Sequence, residues 1–338
     1  AVALDCAVAG LDSIENGESI ATTSWAYWTA AGAAIGACIL LRPDGGILLA
    51  AVGIWLGIAL ARRMWFPPIA KSAMSGTPAG AAPANRVRIP SIVVAGILVA
   101  AVALAPLVPW TIRNFRTLHH FMPLAPRYAN EPEELTPWGF NRWVKTWMAE
   151  YVSVEDIYWN VPGDNIDAGK LPSRALDEPG RDATLAAIAD YNQTQELTPE
   201  SDARFAQLAA ERIRAHPVRY YIALPVLRVA DMWLRPRTEL LSADPRWWEF
   251  NDERRESALS VGFGVLNLIY VAAALLAITR RRPQLRYLGL LGSFLLLRTV
   301  FLGTIENPEP RYTLECFPVL LVWAASFLGN EWERRMGR

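Results

Sequence analysis

The chain has 338 residues, 52% of them hydrophobic and 20% charged, and its 33 Lys plus Arg balance its 33 Asp plus Glu. The apolar residues gather in runs of 15 to 22 with few or no charges, which argues against a soluble globular enzyme. The even charge gives no pull toward nucleic acid, and Cys6, Cys38 and Cys316 have neither the spacing nor the setting of a disulfide framework or CxxC metal site.

The opening AVALDCAVAG has no basic n-region and no cleavage site, and reads as the end of an apolar segment. The chain is therefore expected to be the C-terminal part of a longer membrane protein. Apolar runs follow at Ala26–Leu41, Gly46–Ala61, Pro90–Thr111, Ala258–Thr279, Tyr287–Ile305 and Thr313–Gly329. The third and fourth are long enough to cross about 30 Å of hydrocarbon at about 1.5 Å per residue. The first two are short and joined by the turn Arg42-Pro43-Asp44-Gly45-Gly46, as a thin transmembrane hairpin or a re-entrant pair.

Loop charge sets the orientation. Residues 62–89 carry Arg62, Arg63, Lys71, Arg86 and Arg88 with no acid, and are expected inside. Arg280–Arg282 with Arg286, and the tail with Arg334, Arg335 and Arg338, are expected inside too. The segment from Arg113 to Ser257, with 23 acidic and 18 basic residues, then lies outside. Pro217–Leu234 is apolar, but a crossing there would break this parity. Its Arg219, Arg228, Asp231, Pro225 and aromatic residues suit a helix lying in the headgroup layer.

The outer segment reads as helices and loops. Thr136-Pro137 is expected to open an aromatic helix over 137–151, and Thr198-Pro199 a second one with Phe205, Ala209 and Ile213 on one face. That second helix must stop near His216-Pro217. Residues 160–182 are rich in Gly and Pro and read as loop. The expected fold class is all-α: a polytopic transmembrane helical bundle with an extracytoplasmic, mainly helical loop region. Residues 1–112 form a truncated membrane part of about three spans and a cytoplasmic loop. Residues 113–257 form the extracytoplasmic region with interfacial helices, and 258–338 three spans and a cytoplasmic tail.

This topology sends Arg42–Gly45, Pro109–Asn114, the aromatic helix and Glu306–Tyr312 to one outer face. Arg113 reads either as a snorkelling interface anchor or as a bidentate grip on a lipid phosphate, and Asn114 as a cap on the broken backbone. Glu306, Glu309, Arg311 and Tyr312 form either a solvated turn or a substrate site. Arg298 and Glu315 lie at membrane depth on either side of that turn and are expected to pair. Arg42 and Asp44 make a charged turn tip or a substrate contact. Trp143 and Trp147, with Tyr151, form a helical stripe that either seats in the aromatic belt or stacks a sugar or lipid. His119-His120 has no acidic partner nearby in sequence, so no metal is expected. No P-loop, nucleophile elbow or Rossmann fingerprint is present.

Three segments carry a resemblance: AAGAAIGACILLRPDGG, VPWTIRNFRTLHHFMPLAPR and ENPEPRYTLECFPVLLVWAA. They resemble, in order, the small-residue helix with its R-P-[DE]-G turn, the P-W-x-x-R-N segment and the E-x-R-Y-x-L-x-x-x-P closing segment of bacterial membrane glycosyltransferases. These belong to the protein-mannosyltransferase-like superfamily, similar to glycosyltransferase family 39, with the GT-C fold. The resemblance implies a hexosyltransferase in the inner membrane, serving the cell envelope. Its donor would be a polyprenyl-phosphate-linked sugar, and it would need no cofactor. On the resemblance, Arg42, Asp44, Arg113, Asn114, Glu306, Glu309, Arg311 and Tyr312 bind substrate. The catalytic acid is expected upstream of residue 1, so no catalytic residue is assigned. The competing readings are a transporter or flippase, disfavoured because the polar motifs sit at span ends, and a non-catalytic scaffold subunit.

Overall fold

The computed structural model describes residues 1–15, 25–65, 89–124, 135–178, 180–241, 243–249, 254–281 and 287–336. Among these residues the regular structure is all helical, with no strand. Four helical segments are long and apolar enough to cross a membrane: Pro43–Arg62, Ser91–Leu118, Arg254–Arg280 and Pro310–Gly329. Trp25–Leu41 and Leu288–Gly303 are apolar but shorter. All six runs read from the sequence are thus helices. The second is longer than its uncharged core, because it takes in the Pro43–Gly45 turn and continues through Arg62. Most of the basic loop 62–89, and residues 282–286, fall outside the described residues.

The chain groups into two compact units, Ala1–Ala129 with Arg286–Leu297, and Asn130–Leu285 with Arg298–Arg338. The grouping cuts across the three portions expected above, since the helix Leu107–Leu118 runs past residue 113 within the first unit. The first unit holds α1 (Val2–Glu15), α2 (Trp25–Leu41), α3 (Gly46–Trp65), α4 (Ile89–Leu104) and α5 (Leu107–Leu118). Small residues let α2 and α4 touch backbone to backbone. A Cβ on Gly32 would lie 3.0 Å from the Val99 carbonyl, and one on Gly36 only 2.8 Å from that of Ala103. Rising numbers on α2 meet rising numbers on α4, so the two helices run parallel. The Arg42 turn and α5 therefore leave the unit at the same end. Ala105-Pro106 interrupts the α4–α5 rod, because proline offers no amide hydrogen to the ladder.

The second unit begins with α6 (Trp138–Val144), α7 (Tyr151–Asp156), α8 (Arg181–Thr194), α9 (Pro199–Ala215) and α10 (Leu224–Leu234). It continues with α11 (Arg254–Arg281), the end of α12 (Leu288–Gly303) and α13 (Phe317–Arg335). Thr198 and Ser201 form a capping box that starts α9: Ser201 N–H donates to Thr198 Oγ1 at 3.2 Å and Thr198 N–H to Ser201 Oγ at 2.9 Å. Phe205, Ala209 and Ile213 are all buried, as their spacing requires.

The aromatic helix differs from its expectation at both ends. Its first amides are capped not by Thr136 but by the Asp202 carboxylate of α9, which accepts from Gly139 N–H at 2.9 Å and Phe140 N–H at 2.8 Å. Gly139 is needed there, since a Cβ would overlap the Asp202 carbonyl. The helix then stops at Val144, and turns carry the chain through Trp147 before α7 begins at Tyr151. Trp143 packs on Phe205 at 4.9 Å and on Trp147 at 5.3 Å, in a core shared by α6, α8 and α9. Residues 160–178 form loop with short 3-10 turns, bounded by Gly163 and Gly180, both at positive φ.

Candidate functional site

The turn between α12 and α13 is built on a buried carboxylate. Glu309 has a side chain only 2% exposed, and both its oxygens are used. Its Oε1 accepts from the Tyr312 hydroxyl at 2.7 Å and from Asn307 Nδ2 at 3.1 Å. Its Oε2 pairs with Arg311 Nε. The Arg311 side chain is nonetheless 58% exposed, so its Nε edge is anchored while the guanidinium reaches outward. Pro308 and Pro310 flank Glu309, and Pro310–Cys316 form a 3-10 helix that runs into α13. The whole cluster sits at the first turn of a segment apolar enough to cross a membrane.

Arg237 fixes this turn from behind. Its guanidinium, 3% exposed, donates to the Pro310 carbonyl at 3.0 Å, Thr313 Oγ1 at 3.1 Å and Asn267 Oδ1 at 3.2 Å. Burial pulls the Arg237 group down from the usual arginine range, against the pull of Glu239, which accepts from it at 3.3 Å. Asn267 in turn donates to the Trp233 carbonyl at 2.5 Å. Thus the middle of α11 and the start of the α13 span lie side by side. Neither Arg237 nor Asn267 is among the residues expected to matter. Asn267 gave a signal, as a lone amide in the uncharged run Ala258–Thr279; Arg237 gave none beyond its flanking Pro236.

Arg228 of α10 is 1% exposed and donates to three carbonyls, Met148 at 2.9 Å, Gly303 at 3.2 Å and Lys145 at 2.6 Å. Burial lowers its pKa to about 10, which leaves it charged at neutral pH. Glu306 is buried near it and contributes to its electrostatics. A second group of acids lies around Tyr151. Burial raises the carboxyls of Asp231 and Glu155, Arg235 opposes both shifts, and the Arg235 guanidinium covers the Tyr151 ring at 4.7 Å.

The remaining expected residues resolve as follows. In the first unit, Arg42 pairs with Asp44 at 3.1 Å, with side chains 55% and 11% exposed. Gly45, expected to allow close approach, spends that freedom on the end of α2, where a Cβ would meet the Cys38 backbone at 2.6 Å. Asn114 is buried and donates to the Met122 carbonyl at 2.9 Å, eight residues on, rather than to the backbone at the proline break. Arg113 is exposed, lies over the Trp110 ring at 5.1 Å and donates to Asn114 Oδ1 at 3.2 Å. His119 caps α5 in the left-handed region. Among the described residues no group of His, Cys, Asp or Glu is arranged to hold a metal.

Stacking on Trp143 and Trp147 is corrected. Both indoles are 0% exposed, so neither presents a ring face to a sugar, a lipid or the aromatic belt. The helical stripe marked a protein core because α9 supplies the covering face. In the second unit the structure gathers Glu309, Arg311 and Tyr312 into one hydrogen-bonded cluster. In the first it gathers Arg42 with Asp44 and Arg113 with Asn114. Comparison of the chain with protein-family models, with curated proteins and with solved structures finds no match.

Proposed function

We propose that the chain is part of a membrane glycosyltransferase of the GT-C type. It transfers a sugar from a polyprenyl-phosphate donor to an acceptor at the outer face of the inner membrane. The observation that carries the reading is the anchored, outward-reaching Arg311 at the mouth of an apolar helix. A buried carboxylate and a tyrosine hold the cation, so little side-chain entropy remains to be lost when it meets an anion. A planar fork at that depth matches the phosphate of a lipid-linked donor better than a point charge does.

In the reaction, an acceptor hydroxyl loses its proton to a base and attacks the anomeric carbon. The glycosidic C–O bond breaks, and the polyprenyl phosphate leaves with the electron pair. Arg311 stabilises the charge growing on that phosphate. No residue is assigned as the base. The three sequence segments resembling such enzymes support the donor class.

Removal of one charged donor from a developing anion costs about 2–4 kcal/mol in barrier height. Arg311→Ala in the membrane-embedded protein is therefore expected to lower turnover of a polyprenyl-phosphate sugar on the order of 100-fold. Arg311→Lys should restore part of it, and Arg204→Ala, on the exposed Asp190 pair, none of the loss. Unchanged turnover in Arg311→Ala would return this residue to a mere interface anchor.

A further inference from the structure

The region from residue 135 to 249 has two kinds of surface. Between 135 and 216, Trp138 and Trp159 are the large hydrophobic residues exposed among those described. The next 18 positions expose six: Val218 67%, Tyr221 66%, Ile222 59%, Val226 61%, Leu227 47% and Leu234 49%. The charges of the same stretch are turned the other way. Arg228 is 1% exposed, and Asp231 accepts from the Tyr151 amide at 2.9 Å in the interior. Leu224, Arg228 and Met232, at every fourth position, form the buried face. A helix in water does the reverse, exposing charge and burying its aliphatic stripe. This surface is finished for an apolar solvent.

The contacts of α10 show where that solvent lies. Its Pro225 carbonyl comes within 3.2 Å of where a Cβ on Gly303, the last residue of α12, would sit. Trp233, in its last turn, meets Asn267 of α11 and stacks on Phe317, the first residue of α13, at 6.3 Å. The next residues, Pro236 and Arg237, meet Gly264 and Ser260 of α11. These partners are the last residue of α12, the first of α13, and the first half of α11 from Ser260 to Asn267 at its middle. The helix thus lies against the end of α12 and half of α11 rather than alongside a full span. Leu259, Phe263 and Leu266, in the half of α11 that it meets, are exposed too.

We infer that α10, with the π-turn Arg219–Ala223 before it, is a docking surface for the lipid monolayer. Its apolar face sinks into the headgroup–acyl boundary, while its inward face carries Arg228 and leads to Arg237, which grips the turn bearing Arg311. Lipid contact at α10 thereby sets the depth of the Glu309–Arg311–Tyr312 cluster. The inference rests on the membrane part of the reading above and not on the transferase reaction.

The test is a depth measurement, independent of activity. Nitroxide labels are placed singly at Val226, at Ile269 in the middle of α11, and at Gln207 on the exposed side of α9. The protein is reconstituted in phosphatidylethanolamine–phosphatidylglycerol vesicles, and relaxation by oxygen is compared with relaxation by a water-soluble nickel chelate. The Val226 label is expected about 5–10 Å below the phosphates, with Gln207 in water and Ile269 near the bilayer centre. Val226 as wet as Gln207, or shielded by spin–spin contact with a second copy, overturns the inference while leaving the crossings intact. Val226 as deep as Ile269 overturns it in favour of a crossing helix. Ile269 in water overturns the membrane reading and this inference together.

Discussion

Arg298 shows how a single residue read from sequence gains content from the structure. Its side chain is 2% exposed, its guanidinium lies 3.1 Å from Glu315, and it sits over the Phe301 ring at 5.5 Å. The pairing was legible because two ionised groups in neighbouring apolar runs have no cheaper arrangement. The asymmetry was not: Glu315 is 46% exposed while Arg298 is enclosed. Glu315→Gln leaves the enclosed cation without its carboxylate, and is expected to cost toward the low end of roughly 3–5 kcal/mol. Arg298→Met removes the enclosed charge itself and should cost less. The charge-swapped double variant should recover part of the Glu315→Gln loss, because the exposed site accepts either sign. Thermal unfolding in detergent micelles reads all three, and a swap that recovers nothing would show that the two groups are not coupled. Residues such as Arg237, Arg228 and Asp202 were illegible for a common reason. Each acts on backbone atoms many positions away, at Pro310, Lys145 and Gly139, and backbone acceptors and donors leave no trace in the sequence pattern.

At the scale of elements, helix existence was readable and helix partnership was not. Uncharged runs announced α2, α3, α4, α11, α12 and α13, and Thr198-Pro199 announced α9, because these signals are local. The aromatic helix misled in both length and surroundings, since an i, i+4 stripe of Trp looks the same whether lipid, sugar or Phe205 covers it. The α2–α4 crossing lies between these cases. Gly32 and Gly36 read as part of a small-residue motif, and the structure turns that into a distance. Gly36→Ala would press its Cβ against the Ala103 carbonyl and α-carbon, at 2.8 and 3.3 Å, and backbone cannot step aside as a side chain can. It should cost about 1–3 kcal/mol through overpacking, offset in part by better helix propensity. Gly53→Ala on α3 meets nothing within 4 Å and should stabilise by about 0.5–1 kcal/mol through propensity alone. Opposite shifts in apparent Tm are expected, and equal shifts would mean that α2 and α4 do not cross this closely.

At the scale of the whole molecule, the membrane topology is the claim on which the donor site depends. Two structural relations support it, one in each unit. In the first, α2 and α4 run parallel, so α3 returns the chain between them and stops, at Trp65, at the end opposite Arg42. In the second, Arg237 joins Ser260 of α11 to Pro310 while Trp233 joins Asn267 to Phe317, so α11 and α13 run in the same direction. The ends that carry Arg42 and Glu309–Tyr312 are thus opposite the ends at which α3 and α11 stop. The basic connections are the ones a bilayer retains on the cytoplasmic side. A cysteine placed at Ala84, outside the described residues, is expected to react with a membrane-impermeant maleimide only after the cells are permeabilised. One at Ala168, in the 3-10 turn Ala168–Lys170, should react on intact cells. Both are made in a background with Cys6, Cys38 and Cys316 replaced, so that the native thiols add no label. Reversed labelling would keep the helix relations and invert the orientation, putting Arg311 where lipid-linked donors on the outer leaflet are out of reach. Equal labelling of both sites would break the parity itself, since residues 84 and 168 would then share one side with the rod formed by α4 and α5 between them.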